Sequence, residues 1–493
     1  MSHGLDMTDV KDAEKADIEE LEVKPTTRVS ARSPDEERRL VRKIDLRIMP
    51  IACVLYLFAF LDRSNMGNAR LLGLPEDVLG GDPTGKLFDW VNSAFFFSYV
   101  ICQVPSIITS KLFSPSLWTG SAAVGWGVAS TLTATGFNFA GLIVARVALS
   151  VFETGFGPGI PLYLSFWYTK TEIGLRTALF TGFAAVSGAF GGLVAFGIQQ
   201  AHTAISPWRL LFIVEGLPPV LLGFLVIRLL PNRPEETSFL TEDERKLQLE
   251  RMNRGIAPDI GRTITRSHII AAFRDWRIYA AGVIFFAGSC GIAAVSAFLP
   301  TIIKTFGYTN ARAQLFSVPP YAVATTYMCI VSYYSDKLHS RGAFVMLSAS
   351  LAAGGSFLLL FVHSSNHVRY FATFCLTSGT YSVIAATNAW FAHNLGSETK
   401  KATGMPMYMS IGQTGSILGS HIFPATEGPL YTRGFAIICA LELLGVLSAV
   451  VLMASFHREN KARDRKYGKV EDLDAPVDTR ELADKAPLFR YLV

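Results

Sequence analysis

Charge is scarce in this sequence. Asp, Glu, Lys and Arg make up 17% of the 493 residues, against 50% apolar residues and a mean hydropathy of +0.33. That balance argues against a soluble globule and for a helical protein that crosses a membrane several times. A cysteine framework is also missing. The six cysteines, Cys53, Cys102, Cys290, Cys329, Cys375 and Cys439, all fall inside apolar runs, which speaks against disulfides and against a zinc site. The nine histidines are scattered without metal-ligand spacing, so no metal and no cofactor are expected. Residues 1–45 lack an apolar core segment; no secretory signal peptide is read there, and the first apolar helix has to target the chain itself. No polar region is large enough for a catalytic domain. An enzyme is therefore not expected, nor is a nucleic-acid partner.

What the sequence has in abundance is apolar runs of about twenty residues, the length a bilayer core demands. Twelve are read, near 47–70, 88–109, 116–135, 139–160, 177–199, 208–230, 278–304, 314–335, 343–362, 367–390, 402–425 and 433–456. The expected fold is an all-α polytopic membrane protein with twelve transmembrane helices in two six-helix halves. The expected organisation is an N-terminal tail (1–45), a first half (46–230), a linker (231–277), a second half (278–456) and a C-terminal tail (457–493). Residues 1–30 and 466–493 read as disordered tails. Capping-box patterns at Ser33-Pro34-Asp35-Glu36 and Thr241-Glu242-Asp243-Glu244 start short helices.

Lys and Arg set the orientation. The stretch before the first span, the linker with its nine basic residues, the turn with Lys337 and Arg341, and Lys400 and Lys401 all fall on one side if there are twelve spans. Loops 200–207, 363–366 and 426–432 have no Lys or Arg. Both termini are expected in the cytoplasm of a multi-pass protein of the plasma membrane. Six spans, a linker and six spans is a plan used by many secondary transporters, with the substrate site between the halves.

Polar residues inside the spans mark the expected site, because an ionisable side chain in lipid is costly and faces a cavity or a partner. Span four carries Arg146, Ser150, Glu153 and Gly157 at i, i+4, i+7 and i+11, a single polar stripe. Arg146 and Glu153 are expected to pair or titrate along it, with Glu153 the proton-coupling acid. Span one carries Tyr56, Arg63 and Arg70 at sevens, with Asp62 and Asn65 beside them. Arg63 lies about 24 Å along the helix from Arg47. Its planar fork suits a carboxylate, and Asp62 would balance its charge. Glu215 in span six reads as a structural partner. Gln413 and His421 in span eleven and Asn388 in span ten offer further polar contacts. Asp336, Lys337 and Arg341 follow span eight, where they would lock against neighbouring helix ends in one conformation.

These stretches resemble the major facilitator superfamily and, more narrowly, the fungal allantoate/nicotinate permease group of anion:cation symporters. The resemblance spans roughly 45–460 and rests on LDRSNMGNARL (61–71), RVALSVFETGFGPGIPLYLSFWYTKTEIGLR (146–176), WRLLFIVEG (208–216), PNRPEETSFLTEDER (231–245) and FLPTIIKTFGYT (298–309). It implies an alternating-access carrier of organic anions, commonly with proton symport, in which Arg63 meets the substrate carboxylate and Arg146 and Glu153 lie in the path. Ser150 and Thr154 stand where members often have Gly and Ala, and Gln413 where they often have Asn. The full expectation is a monomer in the bilayer that takes a small organic anion and a proton. Arg63, Asn65, Tyr56, Asn388 and Gln413 would bind substrate, and Glu153, Asp62 and Arg146 would couple the proton. The alternative is an exporter of a fungal metabolite on the same fold.

Overall fold

The computed structural model describes residues 34–110, 112–157, 159–201, 203–254, 266–470 and 482–493. Residues 34–44 form a unit apart from 45–493. Within it helix α1 begins at Pro34, as Pro at a first helical position favours, and Asp35 meets Arg38 at 3.7 Å on the exposed surface. The reading of residues 1–30 as a disordered tail lies outside the described residues.

Twelve long helices are present among the described residues. They are α1 (Pro34–Leu71), α2 (Lys86–Ser110), α3 (Pro115–Thr133), α4 (Phe139–Glu153), α5 (Lys170–Gln200), α6 (Pro207–Leu229), α7 (Trp276–Lys304), α8 (Asn310–Lys337), α9 (Arg341–Phe361), α10 (Asn366–Asn394), α11 (Glu398–Gly419) and α12 (Thr432–Tyr467). Their starts are chemically marked. Proline opens α3 and α6, and the side chains of Asn138, Asp275 and Thr309 cap α4, α7 and α8. Seven of the twelve (α1, α5, α6, α7, α8, α9 and α12) are long and apolar enough to cross a bilayer by composition alone. The others carry more hydroxyl, amide or charged residues, and α4 has only 15 residues. Their polar residues are tolerated where they face neighbouring helices and not lipid.

Glycine sets the closest helix contacts. Gly120 and Gly127 of α3 face Gly223 and Gly216 of α6, where a Cβ would come within 2.8 Å of a carbonyl oxygen, the small-residue packing of membrane helices. In the second half, Gly282 of α7 and Gly412 of α11 receive Ile411 and Phe285 from each other's helix. In its most apolar stretch α7 is 83% buried, against 39% for α6 and α12; it is an enclosed helix, and they present a side to lipid.

The linker end of the bundle is the end where residues 230–275 join the halves; the other is the far end. The linker contains helices Glu242–Arg254 and Arg266–Arg274. The capping box at Thr241 forms as expected, with Thr241 and Glu244 bonding each other's backbone N–H. Arg251 and Gln248 tie the first linker helix to Glu172 and the Trp167 carbonyl of the first half. His268 ties the second to Ser397. Hydrogen bonds between the halves sit at the far end: Asn92 to Ser420 (2.9 Å), Ser93 with His421 (3.0 Å), and Asn310 to the Leu71 carbonyl (3.0 Å). There and towards mid-bundle, Gly67 of α1 packs on the α7 backbone, and Gly192 and Gly188 of α5 pack on Gln314 and Tyr321 of α8.

Two expectations need correction. The reading of 466–493 as disordered fails for 482–493, which pack against the second half with Tyr491 and Leu492 buried, and α12 itself continues to Tyr467. Residues 471–481 lie outside the described residues. Span four also ends sooner than expected. Helix α4 stops at Glu153, and Thr154–Gly157 form a turn before the short helix Gly159–Leu164. Gly155, Gly157 and Gly159 favour that break, so Gly157 does not continue the stripe of Arg146, Ser150 and Glu153.

Candidate functional site

Helix α1 runs unbroken to Leu71, which places Asp62 and Arg63 within it and inside the bundle. Consecutive residues on a helix diverge by about 100°, so the two side chains serve different neighbourhoods. Arg63 turns toward α2 and α4. Its guanidinium forms a two-nitrogen ion pair with Glu153 Oε1 and lies 4.7 to 5.2 Å from the ring centres of Phe60, Phe95 and Tyr99. Cation–π contact of this kind strengthens as water is excluded. Glu153 is 1% exposed and Arg63 12%, so the pair is almost wholly removed from solvent. Glu153 Oε2 has no hydrogen-bond partner.

Asp62 turns the other way, toward α3 and α4. Its Oδ1 accepts from the Ser130 hydroxyl. Arg146 donates from Nη1 to the Asp62 backbone carbonyl at 3.0 Å and lies over Phe95 at 5.2 Å. The expected pairing of Arg146 with Glu153 is not formed, because Arg63 from α1 occupies that carboxylate. Asp62 likewise does not balance Arg63; Glu153 does. The stripe on α4 is real, but its two charges answer to two different residues of α1.

Behind Asp62 the polar cluster continues. Asn65 is fully buried beside Glu215 of α6, itself 2% exposed. No well-formed hydrogen bond joins them. Both polar atoms of Asn65, both oxygens of Glu215, Asp62 Oδ2, and Nε and Nη2 of Arg146 lack partners. Burying this many polar atoms together is costly unless they find partners. Glu215, expected to be a structural partner, lies beside Asn65 and Asp62.

Aromatic side chains wall the site. Tyr56 packs on Phe180 and Phe60 with ring centres 4.0 and 4.9 Å apart, placing the predicted Tyr56 next to Arg63. Tyr381 of α10 reaches the same region from the second half, near Tyr321 at 6.0 Å. Phe95, Ser98, Tyr99, Ser130 and Tyr381 were not anticipated. The signal for the α2 group was there: Ser98 and Tyr99 interrupt the apolar run FFFSYV (95–100), and Ser98 contacts Ser150 of α4.

The remaining predicted residues lie elsewhere. Asn388 accepts from the Tyr408 hydroxyl at 3.0 Å, and Gln413 accepts from Ser416 at 3.3 Å; among the described residues these partners are not members of the Arg63 cluster. At the turn between α8 and α9, Asp336 pairs with Arg341 at 2.9 Å. Arg341 also donates to the Ala389 carbonyl of α10, whereas Lys337 lies 5.9 Å from the Tyr333 ring of its own helix. No group of three or more His, Cys, Asp or Glu suited to a metal occurs among the described residues.

Residues 52–420 match the family model described as Major Facilitator Superfamily. The chain is 32% identical over 473 residues to an MFS-type transporter, cnsO, of Penicillium expansum, covering 92% of this chain and 90% of that one. It is 30% identical over 459 residues to the high-affinity nicotinic acid transporter of Saccharomyces cerevisiae, covering 92% and 85%. Among solved structures, the D-xylose-proton symporter aligns with a TM-score of 0.65 at 14% identity, over 84% of this chain and 97% of that one. A bacterial homologue of the human lysosomal transporter Spinster, inward-facing and occupied, aligns at 0.58 and 12%, over 82% and 94%.

Proposed function

Because this chain belongs to the major facilitator superfamily, and is thus a secondary transporter and not an enzyme, we propose that it carries a small organic anion in symport with a proton. The observation that carries the reading is the Arg63–Glu153 pair, a buried arginine fork held by a carboxylate on one side and three aromatic rings on the other. A substrate carboxylate can replace Glu153 on the fork, since both offer the same planar pair of oxygens. The displaced Glu153, with no other partner for either oxygen, then takes a proton, because an unpaired buried carboxylate is strongly disfavoured. Substrate and proton thus arrive together. Asp62 and Arg146 assist the coupling, with Glu215 and Asn65 behind them. Tyr56 borders the substrate on the first half, whereas Asn65 lies with Glu215 behind Asp62; Asn388 and Gln413 enter from the second half when the halves rock together.

Asp336, Lys337 and Arg341 act in gating, through the contact of Arg341 with α10. The positive-inside pattern puts the linker end, with both termini, in the cytoplasm, and the protein functions as a monomer in the plasma membrane. The name of the nicotinic acid relative supports a monocarboxylate as cargo and the narrower allantoate/nicotinate permease grouping.

The test is uptake into proteoliposomes of radiolabelled nicotinate, pantothenate, allantoate and dicarboxylates, with and without an inward proton gradient. Accumulation of one of them driven by the gradient is expected. Glu153→Gln should then lose gradient-driven accumulation while keeping counterflow exchange of the same compound. Equal loss of both would remove Glu153 from coupling. No accumulation by folded protein would favour export of a larger metabolite.

A further inference from the structure

Segment 482–493 sits in a fitted seat at the linker end of the second half, and every helix end around it holds it by a polar contact. From α10, Trp390 Nε1 and Asn394 Nδ2 donate to the Leu492 carbonyl at 2.8 and 2.9 Å, and Asn394 Oδ1 accepts from the Leu492 N–H at 2.8 Å. From α11, Lys400 donates to Asp484 at 2.8 Å and to Asp275, the cap of α7, at 2.6 Å. From α7, Arg277 donates to the Tyr491 hydroxyl at 2.8 Å, and that hydroxyl donates to Asp484 at 2.9 Å. From α12, Asn460 exchanges two hydrogen bonds with the Tyr491 backbone, Arg463 donates to the Phe489 carbonyl, and Asp464 pairs with Arg490 at 2.8 Å. Tyr491 stacks on Phe456 at 4.7 Å.

The seat is shaped as well as charged. Gly396, in the turn between α10 and α11, has a φ of +71°, and a Cβ there would meet the Asp484 backbone. Lys400 is 2% exposed and Tyr491 2%, so these polar groups have left water and depend on one another. Glu459 beside them is half-buried, which pushes its carboxyl up, yet the hydrogen bonds from Arg277 and Arg463 prevail and hold it below the usual range.

We propose that residues 482–493 are an intramolecular clamp that sets the access state of the carrier. By tying the linker ends of α7, α10, α11 and α12 into one block, the segment holds the second half in the arrangement seen here, joined to the first half at the far end. Reversal requires α10 and α11 to approach the first half at the linker end, and the seated segment opposes that movement. Release of the clamp lets the linker ends close. The proposal rests on alternating access but on neither the substrate nor the proton assigned above.

The test needs no substrate. Spin labels are placed at Leu112→Cys and Leu338→Cys, exposed positions at the linker ends of the two halves, with the six native cysteines replaced by alanine. Their separation is measured by pulsed electron resonance in nanodiscs. Deletion of 482–493 is expected to raise the short-distance population at least about twofold, and a synthetic peptide of these residues, added in excess, is expected to reverse it. Tyr491→Phe, which keeps the ring and breaks the link from Arg277 to Asp484, should shift it the same way by less. If the deletion does not fold, Tyr491→Phe decides alone. An unchanged distribution in folded protein overturns the proposal. So does a broadening that the peptide does not reverse, which would mark the segment as packing alone.

Discussion

Arg63 illustrates how much one side chain depends on its type. Lysine would keep the charge but offer one donor group in place of a flat fork. Losing one charge-assisted hydrogen bond is worth about 1.5–3 kcal/mol, so Arg63→Lys is expected to reduce carboxylate uptake by about 10- to 100-fold at normal surface expression. Uptake near wild type would exclude Arg63 from the site. The members of this cluster were largely legible in the sequence, because charge inside an apolar run is conspicuous: Asp62, Arg63, Arg146 and Glu153 all stood out. Their pairing was not. Helical periodicity fixes which residues share a face, but not how one helix is rotated against another, and that rotation gives Glu153 to Arg63 and leaves Arg146 to the Asp62 carbonyl. Phe95 was hidden for the opposite reason: it looks like any other membrane residue until a cation lies on it, whereas Tyr99 breaks the apolar run and could have been noticed.

The expected span starts fall within about four residues of helix starts that proline or a cap fixes, at Pro115, Pro207, Asp275 and Thr309. The early end of α4 was not legible, since a glycine-rich stretch inside an apolar run reads equally as close packing. Segment 482–493 escaped notice because its contacts are polar and come from four separate helices, so no local pattern announces them. At the far end, the short helix Leu74–Val78 is fastened to the start of α6: Asp77 accepts from Trp208 Nε1 at 2.8 Å and from Arg209 at 3.3 Å. The Trp208 hydrogen bond, with Arg209 beside it, holds the Asp77 carboxyl below the usual range. A depressed folded-state pKa stabilises above the ordinary aspartate range and is lost as the pH falls through the lower folded value. Wild type should therefore unfold at a higher temperature than Asp77→Asn at neutral pH, and the gap should close on strong acidification. A gap that persisted in acid would mean that the contact does not depend on the carboxylate charge.

For the molecule as a whole, twelve helices were read from hydropathy and charge, although five of those observed are too polar or too short to cross a bilayer by composition alone. Their buried polar residues, such as Asn92, Arg146 and Thr380, face neighbouring helices while Ile101, Val144 and Phe371 are exposed, so their composition answers to protein as much as to lipid. The Arg63–Glu153 pair has an electrical consequence. Empty, the site holds one cation and one anion and carries no net charge. With a monovalent anion on Arg63 and a proton on Glu153, the sum is again zero when Asp62, Arg146 and Glu215 keep the same protonation in both states. A carrier built this way is indifferent to voltage when its cargo has a single charge. Uptake of a monocarboxylate into liposomes should be unchanged when a potassium diffusion potential of either sign is imposed, while a dicarboxylate should be slowed by an inside-negative potential. Voltage-dependent monocarboxylate uptake would require a second proton. Under the proposed coupling, the pH difference across the membrane, with no contribution from its voltage, sets how far a monocarboxylate is concentrated.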